Sequence, residues 1–136
     1  MMDPTLSAWS LARFMKTCLV VDDSQPLRSI AVKIVETLGL HVSEAGDGAE
    51  ALASCRGRMP DAILLDWNMP VMNGIEFLKA LAEETAGQLP LVIFCSGESS
   101  VRNIQEAIAA GADDYVIKPF DRDVLALKFR DSGLIA

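Results

Sequence analysis

The chain alternates between short apolar runs and longer amphipathic stretches, and this alternation repeats five times. The apolar runs are rich in β-branched residues, and four of the five contain no polar alternation, which is typical of strands covered on both faces of a parallel sheet. The second run alternates between apolar and polar residues, as a half-covered edge strand does. The predicted strands are 18–21, 41–45, 62–65, 91–95 and 115–117.

The amphipathic stretches predict five helices, and the first of them has the clearest spacing. Its apolar stripe follows Pro26, which suits the first turn of a helix, and ends before Gly39, which provides a stop. Two further helices are expected near 49–56 and 122–131. The stripe positions are Leu27, Ile30, Ala31, Ile34, Val35 and Leu38 in the first helix, Ile75, Leu78 and Leu81 after Asn73-Gly74, and Val101, Ile104 and Ile108 before Gly111.

The order of these elements predicts an α/β fold. A strand followed by a helix, repeated five times, indicates a parallel five-stranded sheet with helices on both faces. Right-handed crossovers make a doubly wound sheet the favoured topology. In such sheets the reactive site lies beyond the carboxyl ends of the strands, so the residues that follow each strand are the candidates for chemistry.

Polar residues follow most of the predicted strands. Taken alone each group is ordinary, because an Asp pair often caps a helix, Ser-Gly often forms a turn and a lone Lys is usually solvated. Since they would all meet at one edge of the sheet, their joint presence indicates a functional site. The groups are Asp22-Asp23 after the first strand, Asp66 after the third, Ser96-Gly97 after the fourth and Lys118-Pro119 after the fifth, with a turn, Gly46-Asp47-Gly48, after the second.

The charges at this edge favour a divalent cation and phosphoryl chemistry. Two carboxylates about 5 Å apart repel by roughly 3 kcal/mol at an effective dielectric constant of about 20, so three together require a cation or a proton. Oxygen-only ligands suit Mg²⁺ or Mn²⁺, and a carboxylate beside such a metal can act as a nucleophile on phosphorus. Lys118 would then neutralise phosphoryl oxygens, Ser96 would offer a hydroxyl, and the backbone N–H of Gly97 could approach a phosphate closely.

Composition narrows the possible functions. A length of 136 residues suits one domain with a buried core, and the net charge of −7 argues against a nucleic-acid surface, which needs clustered Lys and Arg. No apolar run approaches the roughly 20 residues of a membrane span, and no secretory signal is present. Three isolated cysteines, an odd number without a CxxC pair, favour a reducing cytoplasm. The lone His41 is expected to be structural or at the surface.

Four separated motifs together identify a family. They are Leu19-Val20-Val21-Asp22-Asp23-Ser24, Ala45-Gly46-Asp47-Gly48-Ala49-Glu50-Ala51-Leu52, the run from Asp61 to Asp66 followed by Met69-Pro70 and Gly74, and Gly111-Ala112-Asp113-Asp114-Tyr115 through Lys118-Pro119-Phe120. From Lys16 to about Leu134 the sequence resembles the receiver domain of bacterial response regulators, and is most similar to the stand-alone, CheY-like chemotaxis type. The resemblance implies a flavodoxin-like strand order 2-1-3-4-5. It also implies two-component phosphorelay signalling rather than turnover of a foreign substrate.

The resemblance implies a role for each strand-end residue. Asp66 corresponds to the phosphoacceptor. Asp22 and Asp23 correspond to the acidic pair that holds Mg²⁺ (or Mn²⁺), together with Asp66 itself and the backbone carbonyl of Asn68. Lys118 corresponds to the lysine that contacts the phosphoryl group, and the X–Pro bond after it is expected to be cis.

Further positions are implied to control switching and lifetime. Ser96 corresponds to the switch hydroxyl and Tyr115 to the aromatic switch residue, for which an ordinary packed tyrosine is the alternative interpretation. Asn68 lies two positions past the phosphoacceptor and Glu98 two past the switch hydroxyl. Because these side chains flank the approach of the hydrolytic water in the family, they predict a short-lived phosphoryl state.

The implied partners are proteins. A histidine kinase or histidine phosphotransfer protein is expected to donate the phosphoryl group near the first helix. A downstream target is expected on the face of the fourth helix, fifth strand and fifth helix, with no nucleic-acid or membrane partner. Because no output domain follows the fifth helix, the signal is expected to leave through the receiver's own surface. The positions concerned are Gln25, Arg28 and Ser29 for the donor and Asn103, Tyr115 and Lys128 for the target.

Residues 15–136 are assigned to the receiver domain, and residues 1–14 are interpreted as a mis-assigned start, a cloning remnant or an added helix. Three alternative functions fit the residues less well. A nucleotide or flavin enzyme would need a GxxxxGK[ST] or GxGxxG loop, which the chain lacks. An aspartyl phosphatase would carry its nucleophile on the first strand and a second Asp two residues later, which Asp22-Asp23-Ser24-Gln25 does not supply. A binding module with a vestigial acidic site ranks lowest because every key position is filled.

Overall fold

A computed structural model describes residues 15–97 and 101–136, so that residues 1–14 and 98–100 lie outside the description. Strands and helices alternate along the described chain, as the sequence predicts. The elements are β1 (Thr17–Val21), α1 (Gln25–Thr37), β2 (His41–Ala45), α2 (Gly48–Gly57), β3 (Ala62–Asp66), α3 (Gly74–Glu84), β4 (Leu91–Ser96), α4 (Val101–Ala110), β5 (Asp114–Ile117) and α5 (Arg122–Asp131).

The five strands form one parallel sheet in the order β2-β1-β3-β4-β5. This confirms both the doubly wound α/β fold and the strand order implied by the resemblance. The strand order reverses between β1 and β3, because β2 lies on one side of β1 while β3, β4 and β5 lie on the other. A crevice therefore opens beyond the carboxyl ends of β1 and β3, where parallel sheets of this kind place their sites.

Side chains alternate between the two faces of the sheet, so each face has its own hydrophobic core. On one face α1 and α5 supply buried residues such as Val35 and Phe129, which pack with Val20 and Leu64 of the sheet. On the other face α2, α3 and α4 cover a core that contains Phe94 and other residues of β4 and β3. The three inner strands, β1, β3 and β4, are buried at almost every position, which explains their uninterrupted apolar runs.

Polar caps start the helices soon after the strands end. Ser24, Asp47, Asn73 and Asp121 each accept a backbone N–H from the first turn of the following helix. Asn73 and Glu76 form a reciprocal capping box at the start of α3. Ser24, Asp47 and Asp121 lie two to four residues after the strands that precede them, so the loops after β1, β2 and β5 are short.

The apolar stripes are wider than the surface that the core buries. In α1, Ala31 and Val35 are buried, but Leu27 is 49% exposed and Ile30 is 57% exposed. In α4, Ala107 is the buried residue, whereas Val101 and Ile108 are 69% and 48% exposed. These two helices therefore present large apolar side chains to the surroundings. None of the helices in the described part of the chain is long and apolar enough to cross a membrane.

Candidate functional site

The strand register brings the predicted site residues to one edge of the sheet. Val21 of β1 pairs with Leu65 of β3, so Asp22 and Asp66 leave neighbouring strands at the same level. Asp66 is in register with Cys95 of β4, which directly precedes the switch candidate of that strand. The convergence expected from the strand ends alone is therefore present in the fold.

Lys118 brings a positively charged ammonium group to this edge of the sheet. It directly follows β5, and its backbone N–H donates to the carbonyl of Ser96 at 2.8 Å. Its Nζ donates to Asp66 Oδ1 at 2.8 Å and to Asp22 Oδ2 at 3.0 Å. The X–Pro bond that follows Lys118 is cis, which confirms the prediction made from the sequence. One ammonium thus bridges two buried carboxylates.

Asp22 is held on several sides. Its backbone N–H donates to the Ala45 carbonyl at 3.1 Å, and its Oδ1 accepts the Ser24 N–H at 2.9 Å. Its Oδ2 accepts from Lys118, as described above, and the residue is 6% exposed. The neighbouring Asp23 is exposed and faces the open side of the crevice. Of the two adjacent aspartates, Asp22 is therefore buried and held by hydrogen bonds, whereas Asp23 is accessible to solvent.

The three aspartates fit a divalent cation. One carboxylate oxygen from each of Asp22, Asp23 and Asp66 lies within 4.8 Å of the other two. Hard cations such as Mg²⁺ bind oxygen ligands and retain several waters, which the exposed side of this cluster leaves room for. Asn68 lies exposed in the loop after β3. That the backbone carbonyl of Asn68 binds the metal stays a prediction.

Several opposing effects act on the pKa of the Asp66 carboxyl. Burial raises its pKa above the usual range, the hydrogen bond and charge of Lys118 oppose this rise, and the charge of Asp22 adds to it. Burial by itself lowers the pKa of Lys118, but its hydrogen bonds to Asp66 and Asp22 raise it above the ordinary value. The Lys118 ammonium is therefore firmly protonated. Its single positive charge is shared by two carboxylates and does not fully offset the free-energy cost of burying ionised Asp66 beside Asp22.

Replacing Asp66 by asparagine is expected to stabilise the metal-free protein at neutral pH. The raised pKa means that ionised Asp66 costs free energy in the fold, and the neutral amide removes that cost. The gain should disappear as the pH falls through about 4, because the carboxyl is then neutral in the folded and unfolded states alike. Thermal unfolding with a chelator present would measure it. Asp121→Asn, an exchange of one good helix cap for another, is the matched control, and equal midpoints for both variants would contradict the prediction.

The switch candidates lie on the side of the sheet covered by α4. Tyr115 of β5 is half-buried and packs against the same core as Trp67, whose ring meets Phe94 edge-on at 5.2 Å. A void of about 10 Å³ lies among these rings, Ser96 and Asn103. From outside, Lys128 Nζ lies 5.4 Å from the centre of the Tyr115 ring. Tyr115 therefore contacts both the site side and the outer face of the fold.

The remaining predicted residues lie at the end of β4. Gly97 is exposed, and a Cβ built on it would meet no atom within 4 Å, so packing does not explain the glycine. Its predicted contact with a phosphoryl group stays a prediction. Glu98, predicted to influence phosphoryl lifetime with Asn68, lies outside the described residues.

Two features of the site were missed by sequence reasoning. Arg28, expected on the docking surface, is tied to the backbone of the acidic site. A cavity of about 350 Å³ also opens beside Asp66 and Lys118, and its walls are mostly apolar, including Leu27, Ile30 and Cys95. The first apolar stripe contains two of these wall residues, but a stripe alone does not show which of its members stay uncovered.

Comparison with known proteins agrees with this geometry. The family model described as "Response regulator receiver domain" matches residues 18–130. The chain belongs to the response regulator receiver family. Receiver domains are signalling domains, and this one shows the acidic cluster at the expected strand ends.

The similar proteins include a chemotaxis protein and transcriptional regulatory proteins. The receiver is 39% identical over 112 residues to the chemotaxis protein CheY of Pseudomonas aeruginosa, covering 81% of this chain and 90% of CheY. It is 36% identical over 114 residues to the probable transcriptional regulatory protein TcrX of Mycobacterium tuberculosis, covering 84% of this chain and 48% of TcrX. The chain thus spans about half the length of the curated transcriptional regulators it matches.

A solved structure supports the same assignment. The receiver superposes on the chemotaxis protein CheY4 of Vibrio cholerae with a TM-score of 0.81 and 34% identity, covering 86% of this chain and 98% of that one. The CheY-like fold implied by the four sequence motifs is therefore confirmed.

Proposed function

We propose that this receiver accepts a phosphoryl group on Asp66 from a phosphorylated histidine and passes the signal to a protein target. The observation that carries the proposal is the pairing of a buried Asp66 with Lys118 Nζ at 2.8 Å, inside a cluster of three carboxylates. A carboxylate oxygen is a competent nucleophile toward phosphorus when the repulsion of phosphoryl charge is offset. Lys118 and a bound cation would provide that offset.

Mg²⁺ (or Mn²⁺) is proposed as the cofactor, held by Asp22, Asp23 and Asp66 with the backbone carbonyl of Asn68. When bound, the cation supplies positive charge that neutralises phosphoryl oxygens. The protein's own residues do the rest. Lys118 binds the phosphoryl group from the β5 side and keeps Asp66 oriented.

The end of β4 is proposed to link the phosphoryl state to the surface. The Ser96 hydroxyl and the Gly97 N–H would donate to phosphoryl oxygens. Movement of Ser96 would change the space available to the Tyr115 ring, because both residues border the small void between the sheet and α4. Asn68 and Glu98 are proposed to limit the lifetime of the phosphoryl group.

Incubation with acetyl phosphate tests the proposed function. In the presence of Mg²⁺ the intact mass should rise by one phosphoryl group, and a chelator should prevent the rise. Asp66→Asn should show no rise, because the amide is not a nucleophile of comparable strength. A wild-type protein that stays unlabelled, or an Asp66→Asn variant that is still labelled, would contradict the assignment of the phosphoacceptor.

The phosphodonor is proposed to dock on α1 beside the site. Gln25 and Ser29 are exposed there, and the apolar cavity with Leu27 and Ile30 at its rim offers a surface that a helix of a histidine kinase or phosphotransfer protein can cover. Arg28 is half-buried and bonded within the receiver, so it belongs to the site more than to the docking surface.

Ile30→Glu is therefore expected to slow transfer from the phosphorylated histidine donor at least 10-fold, because a charge would be buried in an apolar contact. Labelling by acetyl phosphate should be unchanged. Ile108→Glu, which alters a comparably exposed residue on α4 at the other face of the sheet, is the control. An equal loss with both phosphodonors, or no loss with the histidine donor, would contradict docking on α1.

The target is proposed to bind the face of α4, β5 and α5, around Asn103, Tyr115 and Lys128. Exposed apolar residues of both helices lie on these elements, among them Val101 and Leu127, which are 69% and 55% exposed. The target would then contact Tyr115 directly, because the Tyr115 ring lies between the inner void and Lys128.

A reducing cytoplasmic location fits the three cysteines, which are free and buried. Residues 15–136 are proposed to form the receiver domain.

A further inference from the structure

We infer that Arg28 is a positioning residue of the acidic site: it fixes the peptide unit between Asp22 and Asp23 so that the Asp23 carboxylate is held ready for a divalent cation. The inference rests on the proposed function, since it concerns the same site. Arg28 Nη1 donates to the Asp22 backbone carbonyl at 2.7 Å, and Nε donates to Glu44 Oε1 at 3.0 Å.

The carbonyl bond matters because of where it lies in the chain. The Asp22 carbonyl and the Asp23 N–H belong to one planar peptide unit, so a donor on the carbonyl sets the plane that carries Asp23. The Asp22 N–H and carboxylate are tied to Ala45 and Lys118, which anchor the residue before that plane. Ser24 N–H donates to Asp22 Oδ1, which restrains the peptide unit after Asp23. No described residue donates to the Asp23 carboxylate. Its position therefore depends on the two peptide units that flank it, and Arg28 is the side chain that holds the first of them.

The shape of the guanidinium suits this task. Two of its nitrogens reach two acceptors at once, one on the β1–α1 loop and one on the edge strand β2. The Arg28 side chain is 18% exposed, whereas Glu44 is 49% exposed. An ion pair with so exposed a partner contributes little by itself, but the shielded, charge-assisted bond to a carbonyl is strong. Glu44 serves mainly to orient Arg28.

Charge and positioning predict effects of opposite sign. A positive group near three carboxylates opposes the binding of a cation, so if charge alone mattered, removing Arg28 would tighten Mg²⁺ binding. If Arg28 positions Asp23, its removal would weaken Mg²⁺ binding, because part of the binding free energy would be spent on ordering the loop. The direction of change therefore separates the two roles.

A Mg²⁺ titration followed by Trp67 fluorescence provides the measurement. Trp67 adjoins Asp66, and Trp9 is the other tryptophan of the chain, so a Trp9→Phe background isolates the signal. In this background Arg28→Met is expected to weaken Mg²⁺ binding about 10-fold, the lower range for loss of a residue that orients metal ligands. Arg28→Lys keeps the charge but has one nitrogen in place of the fork, and should show a smaller loss. Glu44→Gln keeps the carbonyl bond, and its affinity should stay within about twofold of the parent.

Each outcome decides the matter. Arg28→Met binding Mg²⁺ as tightly as the parent, or more tightly, overturns the inference. If circular dichroism shows that Arg28→Met is not folded, Arg28→Lys decides, and an affinity equal to that of the parent overturns the inference. A loss of Mg²⁺ affinity in Glu44→Gln as large as in Arg28→Met also overturns it, because the ion pair would then be the cause. A parent protein that does not respond to Mg²⁺ contradicts the proposed function instead, so the two failures are distinguishable.

Discussion

Replacing Lys118 by methionine is expected to slow labelling by acetyl phosphate about 100-fold, the size of effect that follows loss of one preorganised donor to developing charge. Lys118 Nζ lies 2.8 Å from Asp66 Oδ1, where it can meet the oxygens of an arriving phosphoryl group. Methionine preserves much of the side-chain length and removes the charge. The same change is expected to tighten Mg²⁺ binding, because Nζ no longer occupies oxygens of Asp22 and Asp66. Slower chemistry with stronger metal binding is a combination that unfolding would not produce.

The labelling rate should be measured by intact mass at saturating Mg²⁺. Lys79→Met, which removes an exposed ammonium from α3, is the matched control and should label at the wild-type rate. A Lys118→Met rate within a few-fold of the control would show that the bridge between the carboxylates is structural and that Lys118 does not assist phosphoryl transfer.

Replacing Gly74 by alanine is expected to destabilise the protein by about 3 kcal/mol, near the upper end of the usual cost of overpacking. A Cβ at this position would lie 2.5 Å from the Asp66 backbone oxygen and 2.8 Å from Phe94 Cζ. Neither neighbour can yield easily, because the first is backbone and the second is 1% exposed in the core. Either α3 moves away from the sheet or the end of β3 is displaced, and β3 ends in Asp66, the proposed phosphoacceptor.

Chemical unfolding of the metal-free protein gives the measurement. Gly57→Ala is the control, because Gly57 ends α2 and a Cβ there would meet no atom within 4 Å. An alanine in open space at a helical position is neutral or stabilising by up to about 1 kcal/mol. Similar unfolding free energies for the two variants would show that α3 accommodates the methyl group without strain.

The sequence was sufficient for the fold and for the meeting of the acidic residues. Strand runs alternating with helical stripes leave few topologies, and parallel strands bring their carboxyl ends to one edge by geometry alone. The strand ends alone therefore predict that Asp22 and Asp66 lie together. The strand order was not reached in this way, because hydrophobic periodicity does not say which strand neighbours which, and it came from the resemblance.

Side-chain connections were beyond the sequence. Arg28 has a long, flexible side chain that can point to solvent or fold back, and its bond to Asp22 depends on the distance between α1 and the β1–α1 loop. Likewise the first apolar stripe does not reveal that Leu27 and Ile30 stay uncovered, since that depends on how far α5 lies from α1. Such features arise from packing between elements that are remote in sequence, which local patterns do not encode.

The position of Cys95 has a further chemical consequence. This thiol is in register with Asp66 across the β3–β4 pair, and it lines the same cavity. An aspartyl phosphate at Asp66 would be an activated acyl group, and a neighbouring thiolate could attack its acyl carbon, forming a thioester and releasing phosphate. Burial raises the pKa of the Cys95 thiol well above its usual range, and the thiol form is a poor nucleophile. Burial of the sulfur would therefore keep Cys95 from competing with the proposed reaction of Asp66.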